Sequence, residues 1–253
     1  MARRDGFSSP AYRRAALERA AEALLGSPVE AIDYPGGKRR ESCRLTLADG
    51  RTLIGTRRDT PGRGIRESAI LAALSRHGTR VPALLGSNGA QLLFQEELGG
   101  VRLSRALADG TPDEVERLLD SALDALAGVH VAATAEGLER LVRTLGAGEA
   151  WRRRLIARPA VLGAYLGVEA PPLDKAGLIE RLAGREPRFV KWDSRPGNAL
   201  VDADGEVHWF DWEHAGRRNR LDDLLWVLGD EFVPDDPAAE ARLLARHLPR
   251  FAD

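Results

Sequence analysis

Between Arg188 and Trp226 the chain reads RFVKWDSRPGNALVDADGEVHWFDWEHAGRRNRLDDLLW, with polar side chains at fixed points inside apolar sequence. Asp193 and Asn198 are five residues apart, and Asp211 directly follows the apolar run Val207, Trp209 and Phe210. The pattern predicts strand, loop, strand, turn, strand, loop and helix. Phe189 and Val190 lead into a loop with Arg195, Pro196 and Gly197. Ala199, Leu200 and Val201 form a short strand, Asp204-Gly205 a hairpin turn, and Val207 to Phe210 the returning strand. Such a hairpin brings Asn198 and Asp211 to one end. Two oxygen ligands there suit Mg²⁺, a hard cation that takes few protein ligands and is completed by phosphate oxygens and water.

A catalytic Asp, an Asn five residues on and a metal-binding Asp after a hairpin make up the kinase catalytic core. In detail the stretch resembles the aminoglycoside phosphotransferase and choline kinase branch of that fold, with its His-Gly-Asp, Pro-Gly-Asn, Asp-Trp-Glu and Asp-Leu-Ala motifs. Here Asp193, Pro196, Gly197, Asn198, Asp211, Trp212 and Glu213 match, and Asp223-Leu224 stands at the expected distance. The resemblance implies an α+β, bilobal protein-kinase-like fold, with a small antiparallel-sheet N-lobe and a mainly helical C-lobe. The expected lobes are residues 1–97, with a leading helix, and 98–253, with the catalytic loop.

Composition excludes several other classes. The 253 residues can bury a sizeable core, and hydrophobic content of 43% is ordinary for a globular chain. A formal net charge of −1 gives no basic field for nucleic acid. Cys43 is the sole cysteine, so an intramolecular disulfide is impossible. No stretch has the apolar length of a membrane span, and MARRDGFSSP lacks the apolar core of a signal peptide. The expectation is a cytoplasmic protein, monomeric or homodimeric, without nucleic-acid or membrane partners.

Upstream, Ser9-Pro10 starts a helix with the stripe Leu17, Ala20, Ala21, Leu24 and Leu25, and Gly26 stops it. YPGGKRRESCRLTLADGRTLIGT reads as a glycine loop and a hairpin, with Cys43, Leu45 and Leu47 alternating and Asp49-Gly50 turning. Gly36 and Gly37 resemble the glycine-rich loop over the ATP phosphates, with Lys38 adding charge; the competing reading is a solvated basic turn. RGIRESAILAALSRHG is a helix with Ile70, Leu71 and Leu74 inward. AQLLFQEELGG resembles the last strand and hinge of the small lobe, which implies adenine recognition by main chain near Glu96 and Leu98.

Thr111-Pro112-Asp113-Glu114 is a capping box opening a long helix to His130, a scaffold residue in this reading. Residues 134–186 read as further helices, with Arg152, Arg153 and Arg154 either facing an anionic substrate or solvated. Leu221 to Glu231 and the stretch from Asp236-Pro237, with Leu243, Leu244 and Leu248 inward, read as the last helices.

The resemblance implies a small-molecule kinase that moves the γ-phosphate of ATP, or GTP, to a hydroxyl, with Mg²⁺. The short stretch after Asp211 leaves little room for the docking segment of a protein kinase. Asp193 would orient the hydroxyl, Asn198 and Asp211 hold the metal, and Asp223 buttress the loop. Glu67 is the glutamate expected to pair a third-strand lysine, or else a surface salt bridge. That lysine is missing: Arg57 or Arg58 stands there. Arg57 replaces it, or Lys38 or Lys191 supplies the phosphate contact. Lys191 stands where the family has His and could point into the cleft; Arg195 could stabilise the transferring group. The missing lysine also leaves open a catalytically weak, nucleotide-binding regulatory protein. His208 and His214 lack the paired spacing of a zinc site.

Overall fold

The structure is a computed structural model; it describes residues 10–252 except 36, 38–40, 147 and 184–185. Helix α1 (Pro10–Leu25) is followed by β1 (Val29–Asp33), β2 (Ser42–Leu47), β3 (Thr52–Arg57), α2 (Pro61–Arg76), β4 (Leu84–Ser87) and β5 (Leu92–Glu96). The five strands form one antiparallel sheet in the order β1-β2-β3-β5-β4. Period-two alternation builds it: Cys43, Leu45 and Leu47 point inward while Ser42, Arg44 and Thr46 are half-buried. Gly50, at φ +85°, turns the β2–β3 hairpin.

Each face of this sheet has its own cover. Leu17 and Ala21 of α1 pack with Cys43, Leu45, Leu53 and Phe94 on one face. Leu24 is 43% exposed, so the stripe on α1 is narrower than its sequence suggests. On the other face, Leu93 joins Ile70, Leu71 and Leu74 of α2.

The chain then leaves the sheet through Gly99 and Gly100. Gly100 is at φ +116°, and a Cβ there would sit 2.0 Å from the Val201 carbonyl oxygen, so only glycine fits this crossing. Next come β6 (Val101–Arg102), α3 (Leu103–Asp109), α4 (Pro112–Glu136), α5 (Glu149–Leu166) and α6 (Lys175–Ala183). Then follow β7 (Arg188–Val190), β8 (Ala199–Val201), β9 (Val207–Trp209), β10 (Gly216–Arg218), α7 (Leu221–Leu228) and α8 (Pro237–Phe251). The Thr111–Glu114 capping box opens α4, and Gly137 in the left-handed region closes it.

Helix α4 is the core of this half, buried along Leu118, Leu119, Ala122, Leu126 and Val129. By length and composition it could cross a membrane, but 61% of that window is buried inside the protein. Strands β6, β8 and β9 form a small antiparallel sheet, and β10 pairs with β7. The β8–β9 hairpin turns at Gly205, φ +81°. Strands β1, β4, β6 and β10 go beyond the sequence reading. Helix α7 stops at Leu228, three residues short of the expected end.

The fold is therefore a small antiparallel sheet with flanking helices, joined to a mainly helical half that carries the Asp193 loop.

Candidate active site

The loop after β7 is held from below by Asp223, in the first turn of α7 and fully buried. One carboxylate oxygen accepts from the Lys191 amide at 2.7 Å and sits 2.9 Å from His130 Nε2. The other accepts from the Trp192 amide at 2.9 Å and from Ser194 Oγ at 3.1 Å. A buried carboxylate is tolerable only when its lone pairs are filled in this way. The bonds hold a strained turn, with Trp192 and Asp193 both at φ +54°; Asp211, on the separate loop after β9, lies at φ +61°. Left-handed non-glycine residues cost of the order of 1–3 kcal/mol each. Trp192 occupies the place of the family's glycine. Its ring meets Trp226 edge-on at 5.7 Å, and the Arg218 guanidinium lies 5.1 Å away.

Asp193 and Asn198 come together directly. Asn198 Nδ2 donates to the Asp193 main-chain oxygen at 3.0 Å and to its carboxylate at 2.9 Å. The Phe210 amide donates to the Asn198 carbonyl at 3.1 Å, which sets Asp211 one residue beyond that contact. Lys191 lies between these groups, and its charge interacts with Asp211, Asp223 and Asp193.

Arg58 joins the two halves. It is 5% exposed, and it grips Glu67 on α2 through two bonds of 2.5 and 2.7 Å. The same guanidinium reaches Asp211 at 2.8 Å, Glu41 at 3.1 Å and Glu213 at 3.4 Å. Burial alone would lower its pKa. The hydrogen bonds and charge of Glu67, with Asp211 and Glu213, outweigh burial and hold Arg58 above its ordinary value. Glu213 is pushed up instead, by burial and by Asp211, against the pull of Arg58.

Three expectations are corrected. Arg57 does not meet Glu67; its guanidinium reaches Gln91 at 3.4 Å, and Arg58 takes the glutamate. Strand parity is the reason. Gly55 faces Leu17, Leu45 and Phe94 on the α1 side. Thr56 pairs with Leu93, which packs on α2, so Arg58, two residues on, faces α2 as well. Lys191 does not point into the cleft. It is fully buried, its Nζ donates to the Asp211 carbonyl at 3.1 Å, and it lies 5.3 and 5.5 Å from the Trp212 and Trp209 rings. Burial pushes its pKa down, and the surrounding aspartates resist. Arg195 turns away from the loop to Asp230 at 2.8 Å and Glu231 at 2.7 Å.

Gly37 is a turn residue at φ +91°, while Gly36 and Lys38 lie outside the described residues. The Glu96 amide is taken by the Ala83 carbonyl at 2.9 Å, and its carboxylate accepts from the Ala83 amide at 3.1 Å. Leu98, half-buried, follows in the connection between the halves. Sequence reading missed the Arg63–Glu213 pair, at 3.2 Å, which also spans the two halves. The Asp-Trp-Glu motif marked Glu213 but not its partner.

For a metal, the donor set decides. Asn198 gives its Nδ2 to Asp193, which leaves Oδ1 uncommitted; Asp211 gives one oxygen to Arg58, and the other has no partner among the described residues. Two free hard oxygens on adjoining segments fit Mg²⁺ completed by phosphate and water. Among the described residues no group of three or more His, Cys, Asp or Glu side chains could hold a metal alone.

A sequence profile of the phosphotransferase enzyme family matches residues 30–252. The chain belongs to that family. No match was found among curated protein sequences. Solved structures of the same fold include a macrolide 2′-phosphotransferase from Brachybacterium faecium, 18% identical with a TM-score of 0.64, covering 94% of this chain and 83% of that one. An aminoglycoside-3′-phosphotransferase of type VIII is 22% identical, with a TM-score of 0.55 and 90% of each chain covered. Choline kinase from Streptococcus pneumoniae is 15% identical, with a TM-score of 0.56, covering 92% of this chain and 79% of that one. The phosphotransferase thus has the protein-kinase-like fold. Its most evident departures from the family pattern are Arg58, Lys191 and Trp192.

Proposed function

We propose that this phosphotransferase moves the γ-phosphate of ATP, or GTP, to a hydroxyl of a small molecule. The nucleotide lies between the sheet half, residues 1–97, and the helical half, residues 98–253, with its base against the main chain near Glu96 and Leu98. The observation that carries the reading is the Asp193–Asn198 bond beside Asp211, with one free oxygen on each of the last two residues. Asn198 and Asp211 hold Mg²⁺, which neutralises charge on the phosphates.

Asp193 accepts the acceptor's hydroxyl hydrogen bond and points its oxygen at the γ-phosphorus. The new O–P bond forms as the bond to the bridging oxygen breaks. The proton passes to the Asp193 carboxylate and the nucleoside diphosphate leaves. An ordinary carboxylate is a weak base, so orientation is the larger part of this role. Asp223 holds the loop in its strained form.

A second reading has one observation behind it: Arg58 binds Asp211 where the family has lysine. An arginine fork that holds Asp211 away from the metal would give a nucleotide-binding protein with little turnover.

The test is phosphate transfer from radiolabelled ATP with Mg²⁺ to a panel of hydroxyl compounds. Asp193→Ala is expected to lower kcat by about 10²–10⁴-fold. Transfer that survives in Asp193→Ala, or nucleotide binding without transfer to any acceptor, would refute the kinase reading.

A further inference from the structure

A cavity of about 300 Å³ lies against the catalytic loop. Trp192, the residue before Asp193, forms part of its wall, and so does Glu213, two residues past Asp211. Its volume is at the small end of the ~300–1,000 Å³ range of small-molecule sites, which favours a compact metabolite over a multi-ring antibiotic.

The charge in this cavity is lopsided. Arg63, Arg66 and Arg143 line it, with Glu213 as the only acid among the lining residues. Glu213 is already committed, to Arg58 at 3.4 Å and Arg63 at 3.2 Å. Arg66 is half-buried on α2 and Arg143 is exposed on the segment before α5. Neither guanidinium has a hydrogen-bond or ion-pair partner among the described residues, whereas Arg76, Arg105, Arg242 and Arg250 each face a carboxylate. Two guanidinium groups on opposite halves of the molecule thus line one cavity beside the catalytic loop with no partner among the described residues. A ligand anion there would supply the missing partner, and their planar forks match carboxylate and phosphate oxygens. A cationic acceptor would meet three guanidinium groups there and a single carboxylate that is already paired.

We infer that the cavity binds the acceptor, and that the acceptor is a small hydroxyl compound carrying a carboxylate or phosphate, held by Arg66 and Arg143. This rests on the kinase reading above and names its substrate class. Arg152, Arg153 and Arg154 are not among the residues that line this cavity, and Arg153 pairs with Glu149 on its own helix.

The experiment is calorimetric titration of the nucleotide-free protein with glycerol 3-phosphate, glycerate and choline. The wild type and the Arg66→Gln/Arg143→Gln double variant are compared, with Arg105→Gln as the control. The two guanidinium groups have no partner among the described residues, so the double variant keeps its melting temperature. At least one anion is expected to bind the wild type saturably, and the double variant to weaken it about tenfold or more, the scale of one lost charge-assisted hydrogen bond. A smaller loss, an equal loss in Arg105→Gln, no anion binding, or tighter binding of choline overturns the inference. The Asp193→Ala transfer assay is separate. Transfer to a cationic acceptor that Asp193→Ala abolishes would leave the kinase standing while this substrate class falls. With an anionic acceptor in hand, the double variant should raise KM far more than it lowers kcat.

Discussion

Arg58 stands among Glu41, Glu67, Asp211 and Glu213 with 5% of its surface exposed. Glu67 is 2% exposed, so removing the guanidinium strands a buried carboxylate. Losing one partner of such a pair costs about 3–5 kcal/mol. Arg58→Ala is therefore expected to lose stability on that scale in urea unfolding, and to bind Mg-ATP more weakly. Arg58→Lys keeps the charge but cannot fork between Glu67 and Asp211, so it should fall between the two. An Arg58→Ala protein as stable as the wild type would show that the cluster holds nothing together. Glu67 was legible through the family resemblance, which expects a glutamate on the helix after the third strand. The sequence offered Arg57 and Arg58 as its partner, and the reading settled on Arg57, the wrong one of the two. Choosing between them needs the face of β3 on which α2 lies, which is a tertiary fact. Lys191 was misread for a similar reason: a residue leaving a buried strand can turn to either wall of the loop, and here it turns to the Asp211 carbonyl.

At the level of elements, the short helix α7 sets the geometry of a loop thirty residues upstream, because Asp223 accepts the Lys191 and Trp192 amides and the Ser194 hydroxyl. Asp223→Asn keeps the shape but replaces acceptor capacity with an NH₂ that faces donors. It is expected to cost about 1–3 kcal/mol of stability, the scale of a buried polar group left badly paired. It should also lower kcat more than it raises the KM for nucleotide, because the strained Trp192–Asp193 turn loses its anchor. Steady-state kinetics beside thermal unfolding separates the two effects, and unchanged kcat would rule out an anchoring role. The elements with strong local signals were readable in advance: α1, α2, α4, α8 and the β8–β9 hairpin each carry a cap, a stripe or a turn. β10 carries none of these. It is Gly-Arg-Arg, and it becomes a strand only because β7 lies beside it. α7 ends at Leu228 because Gly229 follows, three residues before the expected end at Glu231.

Across the whole molecule, the two halves share more than the Arg58 cluster. The main core runs from Ile70, Leu71, Leu74 and Leu93 of the sheet half into Leu119, Ala122 and Trp212 of the helical half. A second core, which includes Cys43, lies on the far face of the same sheet. Strand β5 links them, with Leu93 in one and Leu92 and Phe94 in the other. Neither core can lose its strand without opening the other, so unfolding should be a single transition. The chain supplies its own probes: Cys43 is the sole cysteine, and every tryptophan lies in the helical half. In urea at pH 8, the midpoint for Cys43 alkylation and the midpoint for tryptophan fluorescence are expected to coincide. Separate midpoints would mean that the two halves fold independently. Raising the pH adds a signed check. Burial pushes the Cys43 thiol up from 9.0 to about 11. A thiol that holds its proton longer in the folded state stabilises fully below pH 9, and that contribution is lost as pH rises from 9 to 11. If one transition governs both cores, the fluorescence midpoint should fall over that window, and Cys43→Ala should remove that part of the fall even though no tryptophan touches the second core.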